Sequence, residues 1–221
     1  MAADSMTLVL LANSCKNNER CVAGKSLLQG RVGGWVRPIS ARPGGALTAQ
    51  DRRLVSGAQP QVLDVVEVSL DRPAPSGFQT ENHRIAPGAG WMPRGHLRWS
   101  ALPRLVDSCE TLWINGCSSG GGCNDRVPAL RVEALRSSLC LIGPLTITLR
   151  VGSGKVRASF HYRQVDYDLS VTDPRIKVAY ASRPDGCYPV AEAYVCVSLA
   201  PVWNGYAYKL AAALITPPEA A

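Results

Sequence analysis

Few side chains in this chain have the chemistry for catalysis, and they are scattered. The histidines are His83, His96 and His161. His83, in Thr80-Glu81-Asn82-His83, is the candidate general base, with Cys15 or Cys21 as nucleophile and Glu81 or Asn82 to orient the ring. Asp125 and Asp168 are the alternative carboxylates through which a small nuclease or nucleotide-processing enzyme would work with His83, with or without a metal ion. No GxSxG or HExxH motif supports either set. Cys15/Cys21 and Cys117/Cys123 are each separated by five residues, wider than the two to four of a zinc-chelating turn. Ala23-Gly24-Lys25-Ser26 ends like a phosphate-binding loop, but Glu19 stands where its first glycine belongs. Gly152-Ser153-Gly154-Lys155 reads as a hairpin turn. The expectation is a non-catalytic protein with no cofactor and no metal ligands.

Binding residues are more plentiful. Asn13, Ser14, Lys16 and Arg20 gather polar groups at a strand end, and the chain returns through Trp35 and Arg37. Positions i and i+2 of a strand share a face. An indole beside a guanidinium can stack a base and hold a phosphate. The alternative is a core Trp35 and an Arg37 paired with a carboxylate such as Glu81. Asn82 and His83 join the ligand candidates. Asn124-Asp125-Arg126 follows the glycine-rich stretch Gly116 to Gly122, and either wraps an anion or forms a turn tied by Asp125. On the strand Val165 to Val171, Asp166, Asp168, Ser170 and Thr172 share one face, which either takes a cation or hydrogen-bonds neighbouring loops. All seven tyrosines lie between 162 and 208. Tyr206 and Tyr208 alternate with Ala207 and Lys209, and Tyr206 and Lys209 complete the ligand-binding set.

The elements that must hold these residues are mostly strands. Leu145 to Val151 alternates apolar and polar residues, the period of a half-buried strand. Val156 to Tyr162 and Val165 to Val171 follow. Asp173-Pro174 opens a helix over Pro174 to Ser182, and strands Ala193 to Leu199 and Tyr206 to Ile215 close the block. That β-β-β-α-β-β order is the order of an OB-fold, a small partly open barrel that binds oligonucleotides or other compact polar ligands. Upstream, strands are expected at Thr7 to Asn13, Trp35 to Ser40 and Val62 to Leu70, and a helix at Ser100 to Ser108. The fold class is all-β with one or two short helices: two tandem OB-like barrels. The first unit spans 1–143, enlarged by an irregular insertion at about 71–138 and ended by a strand Leu139 to Ile142. Gly143-Pro144 makes the boundary, and the second unit spans 144–221.

Charge points to an anionic partner. Of a net +7, residues 1–60 contribute +5, from eight basic and three acidic side chains. The longest apolar run near the N-terminus, Leu8 to Ala12, is too short to cross a bilayer, and no basic segment precedes it. A cytoplasmic protein with reduced cysteines and no membrane association is expected.

The blocks Leu11 to Lys16, Arg20 to Gly24 and Gly34-Trp35-Val36-Arg37-Pro38-Ile39-Ser40 resemble the signature of the bacterial dual OB domain family. The resemblance continues through Gln79 to His83, Leu112-Trp113-Ile114-Asn115-Gly116, Asn124 to Pro128, Tyr167 to Pro174 and Tyr206 to Leu210, in order along nearly the whole chain. It implies two tandem OB units and a place in genome defence or repair. The OB strand order and the localised charge point to binding of single-stranded nucleic acid or a nucleotide-like anion; the alternative is an adaptor for a protein partner from a defence or repair system.

Overall fold

The computed structural model describes residues 4–16 and 19–218. It divides into two compact units, one ending at Leu105 and the other beginning at Val106. Each is built on a closed five-strand barrel.

In the first unit, β1 (Asp4–Lys16), β2 (Glu19–Leu28) and β3 (Arg31–Ile39) form an antiparallel meander. β4 (Asp64–Pro73) pairs antiparallel with β1, and β5 (Asn82–Ile85) runs parallel to β3 and antiparallel to β4, which closes the barrel in the order β1-β2-β3-β5-β4. β6 (Met92–His96) extends β4. Leu8, Leu10, Val22, Val36, Val66, Val68 and Trp91 fill the interior. Val9 and Leu11, which alternate with Leu8 and Leu10 along β1, are fully buried too; a strand covered on both faces reads as a continuous apolar run. Residues 40–63 join β3 to β4 without a helix. Leu47 and Leu54 from this loop enter the core, and Leu47 exchanges backbone hydrogen bonds with Arg20 at 2.8 and 2.9 Å. The sequence pattern does not mark β2 as a strand, because Gly24 and its polar neighbours break the apolar alternation. Gly24 is required where it stands: a Cβ there would fall on the carbonyl oxygen of Val9. The helix expected at Ser100 to Ser108 is a 3-10 helix, Trp99–Leu105, which buries Leu102 and Leu105.

The second unit begins with a short strand, β7 (Arg126–Pro128), and the single turn α1 (Ala129–Val132). β8 (Leu139–Gly152), β9 (Lys155–Tyr162) and β10 (Val165–Val171) then form the meander. Helix α2 (Pro174–Tyr180) follows, with the Asp173 carboxylate accepting from the Arg175 N–H at 2.9 Å as its cap. β11 (Gly186–Leu199) pairs with β8 and β12 (Tyr206–Ile215), and β12 closes the barrel by running parallel to β10. β7 adds to the start of β12 as an antiparallel partner.

Two expectations change. The chain divides at Leu105/Val106 rather than at Gly143-Pro144, so the stretch expected as one insertion at 71–138 is shared between the units. Leu139 to Ile142 is not the last strand of the first unit; it begins β8. Gly143-Pro144 lies within that strand, where the pairing of β8 with β11 shifts between Ala193 and Val195. A residue without an N–H is tolerated where a ladder skips. Cys109 and Cys140 lie side by side, with their Cα atoms 7.4 Å apart. No helix among the described residues is long and apolar enough to cross a membrane.

Candidate functional site

On β9 and β10 the inward residues Val156, Ala158, Phe160, Tyr167, Leu169 and Val171 fill the second barrel's core. Arg157, Ser159, Asp168 and Ser170 therefore face outward. This second-and-third-strand face is where OB-folds commonly hold ligands. Here the chain's own segment lies on it. Cys123 and Asp168 exchange backbone hydrogen bonds at 3.0 and 3.3 Å. Arg157 reaches Asp125 at 3.1 Å, pairs with Asp168 through Nε, and donates to Ser170 Oγ at 2.8 Å. The Asp125 carboxylate also accepts from the N–H and hydroxyl of Ser119 at 2.7 and 2.5 Å. Asp168 also accepts from Ser159 Oγ at 2.8 Å and pairs with Arg150 at 2.6 Å. Both carboxylates are buried and spoken for by arginine and hydroxyl donors, so neither is offered as a general base.

The rest of the Asn124-Asp125-Arg126 block is largely structural as well. Asn124, at φ 48°, accepts from the Gly116 N–H at 2.7 Å and donates to the Asp166 carbonyl at 3.0 Å. Lys209 shares a face of β12 with Ala207 and Ala211 and is 1% exposed. Its Nζ donates to Asn115 Oδ1 at 2.9 Å and lies 5.2 Å from the Tyr167 ring. Burial lowers its pKa to about 8, against the opposing attraction of Asp125. As ligand-binding residues, Ser170 and Lys209 are taken up by the protein itself.

In the first unit the carboxylate alternative for Arg37 holds: its guanidinium meets Glu81 at 3.1 Å, and both are buried. Trp35 is half-buried, with Lys25 Nζ 5.4 Å from its ring centre. Asn82 is buried next in sequence to this pair, and His83 Nδ1 lies 3.0 Å from the Glu81 carbonyl. Asn13 donates to the Pro60 carbonyl at 3.2 Å, while its Oδ1 is buried without a partner. Ser14 is buried. Arg20 is half-buried, with Nη1 enclosed and unpartnered. The Lys16 side chain lies outside the described residues. His83 belongs to one unit and Asp125 and Asp168 to the other.

The β11–β12 connection is exposed. Asn204 and Gly205 both have positive φ, 47° and 79°, the requirement of a two-residue hairpin turn. Trp203 and Tyr206 flank it and exchange backbone hydrogen bonds at 2.8 and 3.1 Å. Trp203 is 66% exposed, beside Val202 at 45%. Its ring lies 6.2 Å from that of Tyr208. Arg126, paired across from Tyr208 on β7, stacks on Tyr206 with its guanidinium carbon 3.9 Å from the ring centre. Two tyrosines and a tryptophan of this hairpin and an arginine of the adjoining β7 thus form one rack.

The family model for the dual OB-containing domain matches residues 6–214. The chain belongs to that family. No curated protein is similar to this dual OB chain. Among solved structures it is similar to a murine DNA binding protein bound with double-stranded DNA, at 7% identity and a TM-score of 0.35, over 99% of this chain and 98% of that one. That likeness is too distant to inform the ligand.

Set in the dual OB fold, Trp203 occupies the loop between the fourth and fifth strands, a second ligand-bearing element of such barrels. The sequence reading missed Trp203. The signal was present: Asn204-Gly205 between apolar runs is a strong short-range mark of a tight hairpin, and it makes the preceding tryptophan a tip residue.

Proposed function

We propose that this dual OB protein binds single-stranded nucleic acid, with unpaired bases stacking on the hairpin rack of the second barrel. The exposure of Trp203 beside Tyr208, with Arg126 stacked over Tyr206, carries the reading. Every base has a π-face, so such a platform accepts any sequence, and each stacked base contributes roughly 1–3 kcal/mol. Arg126 adds a cation within reach of a phosphate. The net +7 charge supports an anionic partner and steers it inward from a distance. The saturation of Asp125 and Asp168 by arginines favours binding over turnover. The family resemblance supports a setting in bacterial genome defence or repair.

The test is a fluorescence-anisotropy titration with single-stranded DNA, single-stranded RNA and duplex at two salt concentrations, on the native chain and on Trp203→Ala. Salt-sensitive binding to a single strand, weakened by roughly fivefold or more in the variant, is expected. Equal affinity in the variant would remove the hairpin from the interface. No binding to any nucleic acid would overturn the reading and leave the hairpin as a surface for a protein partner.

A further inference from the structure

Leu112-Trp113-Ile114-Asn115-Gly116 is one of the blocks that resemble the family signature, and the hairpin rack makes no use of its tryptophan. Trp113 has φ 59°, a left-handed backbone that a bulky residue rarely adopts. Such outliers cluster at ligand sites, where the surrounding structure holds them in place. Here both ends of the residue are held. The Trp113 N–H donates to the Thr111 carbonyl at 3.0 Å, and the indole Nε1 donates to the Ser137 carbonyl at 2.8 Å. The side chain is half-buried and packs against the second barrel's core, so the ring is fixed before any ligand arrives.

Trp113 lines a cavity of about 350 Å³, at the lower end of the range for small-molecule sites. Buried Leu112, Leu139 and Cys140 give the cavity apolar walls. Two charged and exposed side chains, Glu110 and Arg136, share the lining. Arg136 Nη1 donates to the carbonyls of Glu133 and Leu135 at 2.8 and 3.0 Å, which steadies the guanidinium. Glu110 is different. Among the described residues, no hydrogen bond or ion pair engages its carboxylate, so both oxygens are available as acceptors.

An aromatic ring, an unengaged carboxylate and a cation around one small cavity suit a particular base. Unpaired bases are read by stacking on aromatic side chains and by hydrogen bonds to their Watson–Crick edge. Guanine presents two neighbouring donors on that edge, N1–H and the exocyclic amine, which the two oxygens of a carboxylate accept together. Adenine, cytosine and uracil each present one donor group there. We propose that this cavity binds a guanine base, packed on Trp113 with its Watson–Crick edge on Glu110. The charge of Arg136 offsets the repulsion between Glu110 and the nucleotide's phosphate. The cavity belongs wholly to the second unit, and the site stands whether or not the hairpin rack stacks bases.

The experiment is equilibrium dialysis of the full chain against GMP, AMP, CMP, UMP and IMP, whose base is guanine without the exocyclic amine. GMP should bind more tightly than each of the others, IMP included, by roughly tenfold. Glu110→Gln replaces one acceptor by a donor and should abolish this preference. Its Tm should match that of the native protein, because Glu110 is exposed. Absence of GMP binding, equal affinity for the five nucleotides, or undiminished GMP affinity in Glu110→Gln each overturns the proposal. The source of the base is then read from oligothymidylate with and without one central guanine. A gain from the guanine that is lost in Glu110→Gln identifies an unpaired base within a strand; equal binding of the two oligomers, with GMP still selected, identifies a free nucleotide. Plain oligothymidylate carries no guanine, so its binding reports the rack alone and separates failure of the rack from failure of this site.

Discussion

The backbone of Cys123 is paired with that of Asp168, which seats this segment on the edge of β10, where Gly121 and Asp125 meet the outward arginines Arg150 and Arg157. In the second barrel the usual ligand face is thereby converted into an internal polar interface, with Arg157 as its hub. Residues chosen from the sequence for their ligand chemistry meet here, but they meet one another.

Gly122 is the tightest point of that contact. A Cβ at this position would fall on Asp125 Oδ2 and Arg157 Nη2. These atoms belong to a bonded network, so they cannot simply swing aside. Gly122→Ala should destabilise the protein by roughly 1–3 kcal/mol, measured by urea unfolding. Unchanged stability would show that the loop does not press on β10.

Arg157 neutralises two buried carboxylates at once. Arg157→Met should cost about 3–5 kcal/mol, since removing one partner leaves buried charge uncompensated. Arg157→Lys should recover only part of this, because one ammonium cannot reproduce the fork that serves Asp125, Asp168 and Ser170. Chemical denaturation of the three proteins checks both statements. Full recovery by lysine would reduce the role of Arg157 to its charge.

Much of this architecture was legible in the sequence. Sequence patterns located the five strands and the helix of the second barrel, with β12 at its observed bounds; β9 and β10 have one core face and one polar face, whereas β11 and β12 are buried on both faces over much of their length. The same reasoning lost β2, whose glycine is dictated by a neighbouring carbonyl and not by burial. It also ended a strand at Gly143-Pro144, since a ladder skip opposite Tyr194 leaves no mark in local composition. Individual polar residues were the least legible. Arg37, Lys209 and Ser170 have the chemistry of ligand contacts, and only the tertiary structure shows that Glu81, Asn115 and Arg157 engage them.

Lys209 gives a pH signature. Its pKa in the fold is about 8 against 10.5 ordinarily, so between those values the unfolded chain binds the extra proton and stability rises with pH. Below pH 8 the buried charge costs its full amount, on the order of 3 kcal/mol; above 10.5 the cost is gone. The stability difference between the native protein and Lys209→Met should therefore shift in favour of the native chain from about pH 7 to about pH 10. A difference that is flat over this range would mean that Lys209 keeps its proton in the fold.

The pair Arg37–Glu81 separates structural from ligand-binding arginine. Glu81→Ala removes the carboxylate that faces the buried Arg37 and should cost about 3–5 kcal/mol. Arg37→Met should likewise lower stability, while the affinity of the remaining folded protein for an oligonucleotide stays as it was. An affinity loss in Arg37→Met without a stability loss would restore Arg37 to the ligand-binding set.

The hairpin rack predicts that its parts fail differently. Trp203→Ala and Tyr206→Leu remove stacking surface and no charge, so affinity for a single strand should fall while the dependence of log K on log salt keeps its slope. Arg126→Gln removes a cation stacked on Tyr206; if that cation meets a phosphate, the slope becomes shallower by about 0.7. Trp203 is exposed, so its loss should leave Tm nearly unchanged. Salt slopes that move together in all three variants would mean that the hairpin acts by shaping the surface as a whole, not by a division between stacking rings and a phosphate-binding cation.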